Sequence, residues 1–249
     1  MRAARHALDG ATLALGLLTV IPARARTTPG GLGSAAGWFP AVGALVGLAA
    51  GAVRLGADPS LGPGVAAVLS AIALVAVTGA LHQDGLADCA DALGVRGGRE
   101  RRLAVMRDST IGAFGMLALA LWAVLLVAAL AALPRHQIIW VLVLAGALGR
   151  WAAVLHAAAL PPARRDGLGA AFAPTAASVA VASAMVIIAA LLHRPIAALA
   201  SAGMGIAVAL AVSTWARHAL GGRTGDTLGA TVALTEVLVC VVLLGFVRQ

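Results

Sequence analysis

Apolar runs close to 20 residues long recur from one end of this 249-residue chain to the other, broken only by short stretches rich in Arg, Gly and Pro. A helix needs about 20 such residues to cross a ~30 Å hydrocarbon core, and one buried core cannot absorb so many of them. The runs fall near 37–53, 62–81, 111–133, 137–160, 173–192, 195–214 and 227–247, with a shorter one at 8–21. Hydrophobic residues make up 61% of the chain and charged residues 11%, against about 25% charged in a soluble domain. A water-soluble globule is excluded. The pattern predicts an all-α, polytopic membrane bundle of seven or eight spans, forming one domain over residues 1–249.

The net charge of +8 comes from 18 basic and 10 acidic residues, and every basic residue is Arg. A nucleic-acid partner would require a basic groove interleaved with aromatic side chains, but these Arg lie in short segments between spans. If each of the longer runs crosses once, segments 22–36, 82–110, 161–172 and 215–226 share a face. That face holds Arg24, Arg26, Arg96, Arg99, Arg101, Arg102, Arg107, Arg164, Arg165, Arg217 and Arg223, while the other holds Arg54, Arg135, Arg194 and Arg248. The positive-inside rule places the richer face in the cytoplasm. Trp38, Trp122, Trp140, Trp151 and Trp215 read as interfacial anchors or packing. Cys89 and Cys240 have no metal-type spacing. The N-terminal stretch has the basic start of a signal peptide and an A-x-A at Ala23 to Ala25, but Pro22 just before that site and the spans that follow favour an uncleaved first helix.

The carboxylates share the same bias. Asp84, Asp88, Asp91, Glu100 and Asp108 crowd into one segment, with Asp166 and Asp226 in others of the same face. In LHQDGLADCADALG, residues 81–94, a helix places Asp84, Asp88 and Asp91 at i, i+4 and i+7, along one face. Three like charges so close repel, and a hard divalent cation with oxygen ligands, such as Mg2+, neutralises them economically. The alternative is a solvated face paired with the neighbouring Arg. His82 is a candidate general base or an ordinary hydrogen-bonded interfacial residue.

A second block, RERRLAVMRDSTIGAFG at 99–115, offers Arg107 to a phosphate, with Asp108 and Ser109 at the mouth of the next span; an ordinary helix start is the plainer reading. The third, GGRTGDTLGA at 221–230, joins Arg223, Thr224 and Asp226 to a Gly-rich turn. It lacks the Lys and preceding strand of a P-loop. Glu236 lies inside the last span, a carboxylate for metal, proton or Arg. Arg150 is a phosphate-binding candidate or a structural partner of Glu236.

Taken together, the three blocks, with Thr19 to Pro22 and the GWFPAVGALVG stretch at 37–47, resemble the cobalamin synthase family, the adenosylcobinamide-GDP ribazoletransferases. The resemblance covers nearly the whole chain. It implies a bacterial inner-membrane enzyme that transfers the adenosylcobinamide phosphate group to alpha-ribazole or its 5'-phosphate, releasing GMP, with Mg2+. The matching positions are Asp84, Asp88 and Asp91, then Arg107, Asp108 and Ser109, then Thr224, Gly225 and Asp226. Val20, Ala92 and Ala233 depart from the family pattern.

The expected catalytic groups are thus Asp84, Asp88, His82 and Asp108. Arg107, Ser109, Arg223, Thr224 and Arg150 are expected on the substrate phosphates, and Asp84, Asp88, Asp91, Asp108, Asp226 and Glu236 around metal. The expected partners are the two substrates and the lipid bilayer, with association into a homo-oligomer or with other enzymes of the pathway. Another Mg2+-dependent membrane phosphotransferase or prenyltransferase acting on a diphosphate is the nearest rival. A CDP-alcohol phosphotransferase requires Ala-Arg where this chain has Ala87 and Asp88, and a prenyltransferase requires a second aspartate cluster. A small transporter requires polar residues spread through the spans rather than gathered at one face.

Overall fold

The computed structural model describes residues 2–23, 31–191 and 194–247. Arg24, Arg26 and Arg248 lie outside them. The described residues form helices joined by short turns: α1 Arg2–Leu18, α2 Gly31–Ala35, α3 Phe39–Thr78, α4 Leu81–Gly94, α5 Arg99–Val105, α6 Ala113–Ala132, α7 Ile138–Ala159, α8 Leu168–Ala171, α9 Ala176–Leu191, α10 Pro195–Leu220 and α11 Gly225–Val247. The only pairing of extended backbone among them is an isolated bridge between Pro162 and Arg223.

Five helical stretches are long and apolar enough to cross a membrane: Gly31–Thr78, Ala113–Ala132, Arg135–Ala159, Pro195–Leu220 and Gly225–Phe246. The first contains two of the runs expected from sequence. A straight 20-residue helical segment is about 30 Å long, yet the Ser70 hydroxyl donates to the Ala50 carbonyl at 2.8 Å. The chain therefore doubles back in between, where Gly62 takes φ +73° between Pro59 and Pro63. Only Gly adopts that left-handed conformation without penalty, and the two prolines interrupt the backbone ladder on either side. Shorter apolar helices at His6–Leu18 and Ala176–Ala189 correspond to the remaining two runs.

Helix α7 is the axis of the bundle. Ile138, Leu148, Arg150, Ala152, Val154 and His156 are fully buried along its length. Glycines let neighbouring backbones touch it. A Cβ at Gly43 would strike the backbone of Gly146, and one at Gly47 the backbone of Leu142. Small residues serve this purpose in lipid, where no hydrophobic difference drives helices together. His156 locks the other side: its Nδ1 lies 2.6 Å from Ser213 Oγ of α10 and its Nε2 2.9 Å from Thr227 Oγ1 of α11.

The ends of the bundle differ as the charge pattern predicts. At one end, Arg135 donates to Leu55 O at 3.2 Å and Arg194 to Phe246 O at 3.4 Å. At the other, segments 82–110, 161–172 and 215–226 meet: Arg99 donates to Ala163 O at 2.6 Å, and Ala163 N to Arg223 O at 2.8 Å. Both cysteines are free and buried.

Candidate active site

Helix α4 carries the first acidic block, and its position is set by two glycine contacts with α11. A Cβ at Gly85 would come 2.5 Å from Asp226 O, and one at Gly229 3.3 Å from the His82 Cα. The helices therefore run antiparallel, with Gly85 level with Asp226 and His82 level with Gly229, one turn deeper. The entry to α4 is tight: Gly79 and Ala80 both adopt the left-handed conformation, at φ +61° and +59°. For Ala80 this costs about 1–2 kcal/mol, held by its N–H bond to Val75 O at 3.0 Å.

A cavity of about 350 Å3 opens where these helices meet the 161–172 segment, and Asp84, Asp226, Arg107, Arg164 and Asp166 all line it. The cations are held by carboxylates of the same cavity. Arg164 Nη2 donates to Asp226 Oδ2 at 3.1 Å, and Arg107 Nη2 reaches both oxygens of Asp166 at 3.0 and 2.8 Å. Asp88, one turn along the same helix from Asp84, is half-buried and does not itself line the cavity. Burial, then the nearby charges of Asp226, Asp84 and Asp91, push its carboxyl up to about 7. Among the described residues, no three His, Cys, Asp or Glu side chains converge tightly enough to enclose a metal ion.

The remaining expected residues are placed differently. Asp91 is engaged in packing: its two carboxylate oxygens accept from Gly112 N and Gly115 N, each at 2.8 Å. These are orphan N–H groups at the start of α6, which attract an anion, so Asp91 braces a helix end rather than facing the cavity. Asp108 accepts from Thr110 N at 3.0 Å and Thr110 Oγ1 at 2.7 Å, contacts that lower its carboxyl. Asp108 and the exposed Ser109 lie in a turn and neither lines the cavity.

Arg223 donates to Gly169 O at 3.0 Å, Phe172 O at 2.8 Å and Leu160 O. Its guanidinium is engaged by three carbonyls of the 160–172 segment. Thr224 caps α11: its hydroxyl accepts Thr227 N at 3.2 Å while Thr227 Oγ1 accepts Thr224 N at 3.0 Å. This reciprocal pairing satisfies orphan donors at a helix start. Arg150 and Glu236 pair with each other inside the bundle, 0% and 2% exposed, and neither lines the cavity. His82 does line the cavity. It is 2% exposed, and burial followed by the charge of Arg150 holds its imidazole well below the usual range.

Arg164 and Asp166 were not expected in the site. Their signal is the PPARRDG stretch at 161–167, whose Arg164 counts toward the Arg-rich face and whose Asp166 counts among its carboxylates. Nothing in periodicity shows that a loop between α7 and α9 folds over α4.

With the geometry in place, comparison with known proteins adds the lineage. The sequence model of the family described as cobalamin-5-phosphate synthase matches residues 10–244. An adenosylcobinamide-GDP ribazoletransferase of Sinorhizobium medicae is 43% identical over 228 residues, covering 86% of each chain. One of Azorhizobium caulinodans is 41% identical over 211 residues, 80% of this chain and 79% of its own. One of Bradyrhizobium diazoefficiens is 36% identical over 251 residues, 97% of this chain and 95% of its own. No solved structure matches the chain. All three sequence blocks fall within the matched span, and the chain belongs to the cobalamin-5-phosphate synthase family.

Proposed function

We propose that this chain is an adenosylcobinamide-GDP ribazoletransferase of the bacterial inner membrane, with its site open to the cytoplasm. The observation that carries the reading is the convergence of Asp84, Asp226, Arg107 and Arg164 on one cavity at the Arg-rich end of the bundle. Orientation follows from the positive-inside rule applied to that end. The acceptor is alpha-ribazole or its 5'-phosphate.

In the reaction, an acceptor hydroxyl attacks the phosphorus that bears the cobinamide. The bond from that phosphorus to the bridging oxygen breaks, GMP leaves, and the hydroxyl proton passes to a carboxylate. Phosphoryl transfer of this kind depends on in-line positioning and charge stabilisation more than on covalent help. Arg107 and Arg164 supply positive charge at the cavity wall. Each is now held by a carboxylate, which a diphosphate displaces. The carboxyl of Asp88, at about 7, has the proton affinity that acceptance at neutral pH requires.

The donor chemistry fits Mg2+. This ion binds through one or two carboxylates together with substrate phosphates, not through a closed protein cage. Asp84 and Asp226, which line the cavity, would hold it together with the substrate phosphates. When bound it supplies Lewis-acid stabilisation of charge on the diphosphate.

The test is purified protein in nanodiscs with adenosylcobinamide-GDP and each ribazole acceptor, following GMP and cobamide with Mg2+ and with EDTA. Stoichiometric, Mg2+-dependent release of both products is expected, abolished by Asp84→Ala in protein that still inserts. Absence of turnover by folded wild-type protein with either acceptor overturns the reading. Near-normal turnover of Asp84→Ala overturns the site.

A further inference from the structure

The cavity is not uniform along its depth. Along α11 it is lined first by Gly225 and Asp226, next by Leu228 and Gly229, and last by Val232. At 1.5 Å per residue, Val232 lies about 9 Å inward of Asp226. Ala153, on the buried stretch of α7, and His82, level with Gly229, belong to the same inner end. Phe39 and Phe172 complete the wall as a stacked pair, with ring centroids 4.8 Å apart and an interplanar angle of 14°. The charged groups are confined to the mouth. The inner part is apolar and aromatic, and His82 lines it with a buried ring whose Nε2 has no hydrogen-bond partner among the described residues.

A buried polar atom without a partner costs about 1–3 kcal/mol, and a mostly apolar pocket with one placed polar group is the usual form of a small-molecule site. We propose that the inner half is a subsite for a flat, uncharged heteroaromatic base, and that His82 Nε2–H donates to that base's bare ring nitrogen. On the functional reading above, the base is the benzimidazole of alpha-ribazole, whose second nitrogen carries no substituent and has a lone pair in the ring plane. At about 350 Å3 the cavity suits a nucleoside and is far too small for a corrinoid. The acceptor therefore enters base first and leaves its ribose hydroxyls at the level of Asp84 and Asp226. The activated corrinoid stays outside, with only its diphosphate at the mouth. His82 acts here as a specificity residue for the acceptor, not as a base in the reaction.

The experiment is isothermal titration of alpha-ribazole, and of its indole analogue lacking the second ring nitrogen, into nanodisc-embedded wild-type, His82→Leu, His82→Gln and Val232→Phe proteins. Wild-type is expected to bind alpha-ribazole about tenfold more tightly than the indole analogue. His82→Leu is expected to bind both equally, His82→Gln to recover part of the preference, and Val232→Phe to bind neither. A preference for alpha-ribazole undiminished in His82→Leu overturns the hydrogen bond, and tight binding retained in Val232→Phe overturns the subsite. Absence of alpha-ribazole binding to wild-type protein also overturns it. Binding is read without turnover, so these outcomes are separate from those that test the transferase reading. If turnover is present while Val232→Phe and His82→Leu leave the acceptor KM unchanged, the reading stands and the subsite falls.

Discussion

Gly85 of α4 lies so close to Asp226 of α11 that a methyl group added there would come within 2.5 Å of the aspartate's carbonyl oxygen. That approach brings the first and third sequence blocks into one site. Gly85→Ala must move one backbone away from the other, and a displacement of ~1 Å can cost about a hundredfold in rate. We expect turnover to fall by about that factor in protein that still purifies as a folded species. Gly56→Ala is the control, because nothing lies within 4 Å of a Cβ there and its turnover should equal wild type.

Arg107 and Arg223 differ in exposure, and substitution should separate them. Arg107 is 56% exposed in its pair with Asp166, and such surface pairs contribute about 0–1 kcal/mol. Arg107→Ala should therefore leave thermal stability nearly unchanged and raise the KM for the GDP-activated donor about tenfold. Arg223 is 5% exposed and holds three carbonyls of the 160–172 segment. An ammonium is a point charge without the planar fork of guanidinium, so Arg223→Lys should lower the melting temperature and loosen that segment to proteolysis. If instead Arg223→Lys raises the donor KM with no loss of stability, the phosphate role returns to Arg223.

The spans and the Arg-rich face were legible because hydropathy and loop charge act locally along a chain. Asp84 and Asp226 were legible because ionisable residues gathered at one end of a bundle are rare. The periodicity that sets Asp91 beside Asp84 and Asp88 says nothing of the Gly112 and Gly115 N–H groups from which it accepts. Arg223 and Thr224 sit inside a block that reads as one motif, yet their bonds run to a loop and a helix start distant or local in ways no spacing reveals. The hairpin at Gly62 was visible as a gap between two runs, with Pro59 and Pro63 as its punctuation.

The carboxyl of Asp88 gives a pH prediction with a definite sign. In the metal-free protein it titrates at about 7 instead of 3.8, so the fold holds a proton that the unfolded chain has released. Metal-free stability should therefore decline as pH rises from about 4 to 7 and then level off. A divalent cation held beside it by Asp84 and Asp226 favours the ionised form, so its affinity should run the other way. Half-saturation by Mg2+ should need about five- to tenfold more metal at pH 6 than at pH 7 and change little above pH 8. Asp88→Asn should weaken binding and flatten that dependence. A steep pH dependence that persists in Asp88→Asn places the proton on another group.

Arg150 and Glu236 form an ion pair that is closed off from solvent, 0% and 2% exposed. Counting ten residues along α11, Glu236 lies about 15 Å inward of Asp226. Removing one partner of a buried pair leaves an uncompensated charge and costs about 3–5 kcal/mol, whereas apolar replacement of both is often neutral. Glu236→Ala should accordingly destabilise the protein by that amount in denaturation from detergent, and Arg150→Met with Glu236→Leu together should restore most of it. Turnover decides the role. A stable double variant with Mg2+-dependent activity near wild type confines the pair to holding α7 against α11. A stable double variant without activity returns Glu236 or Arg150 to the catalytic machinery.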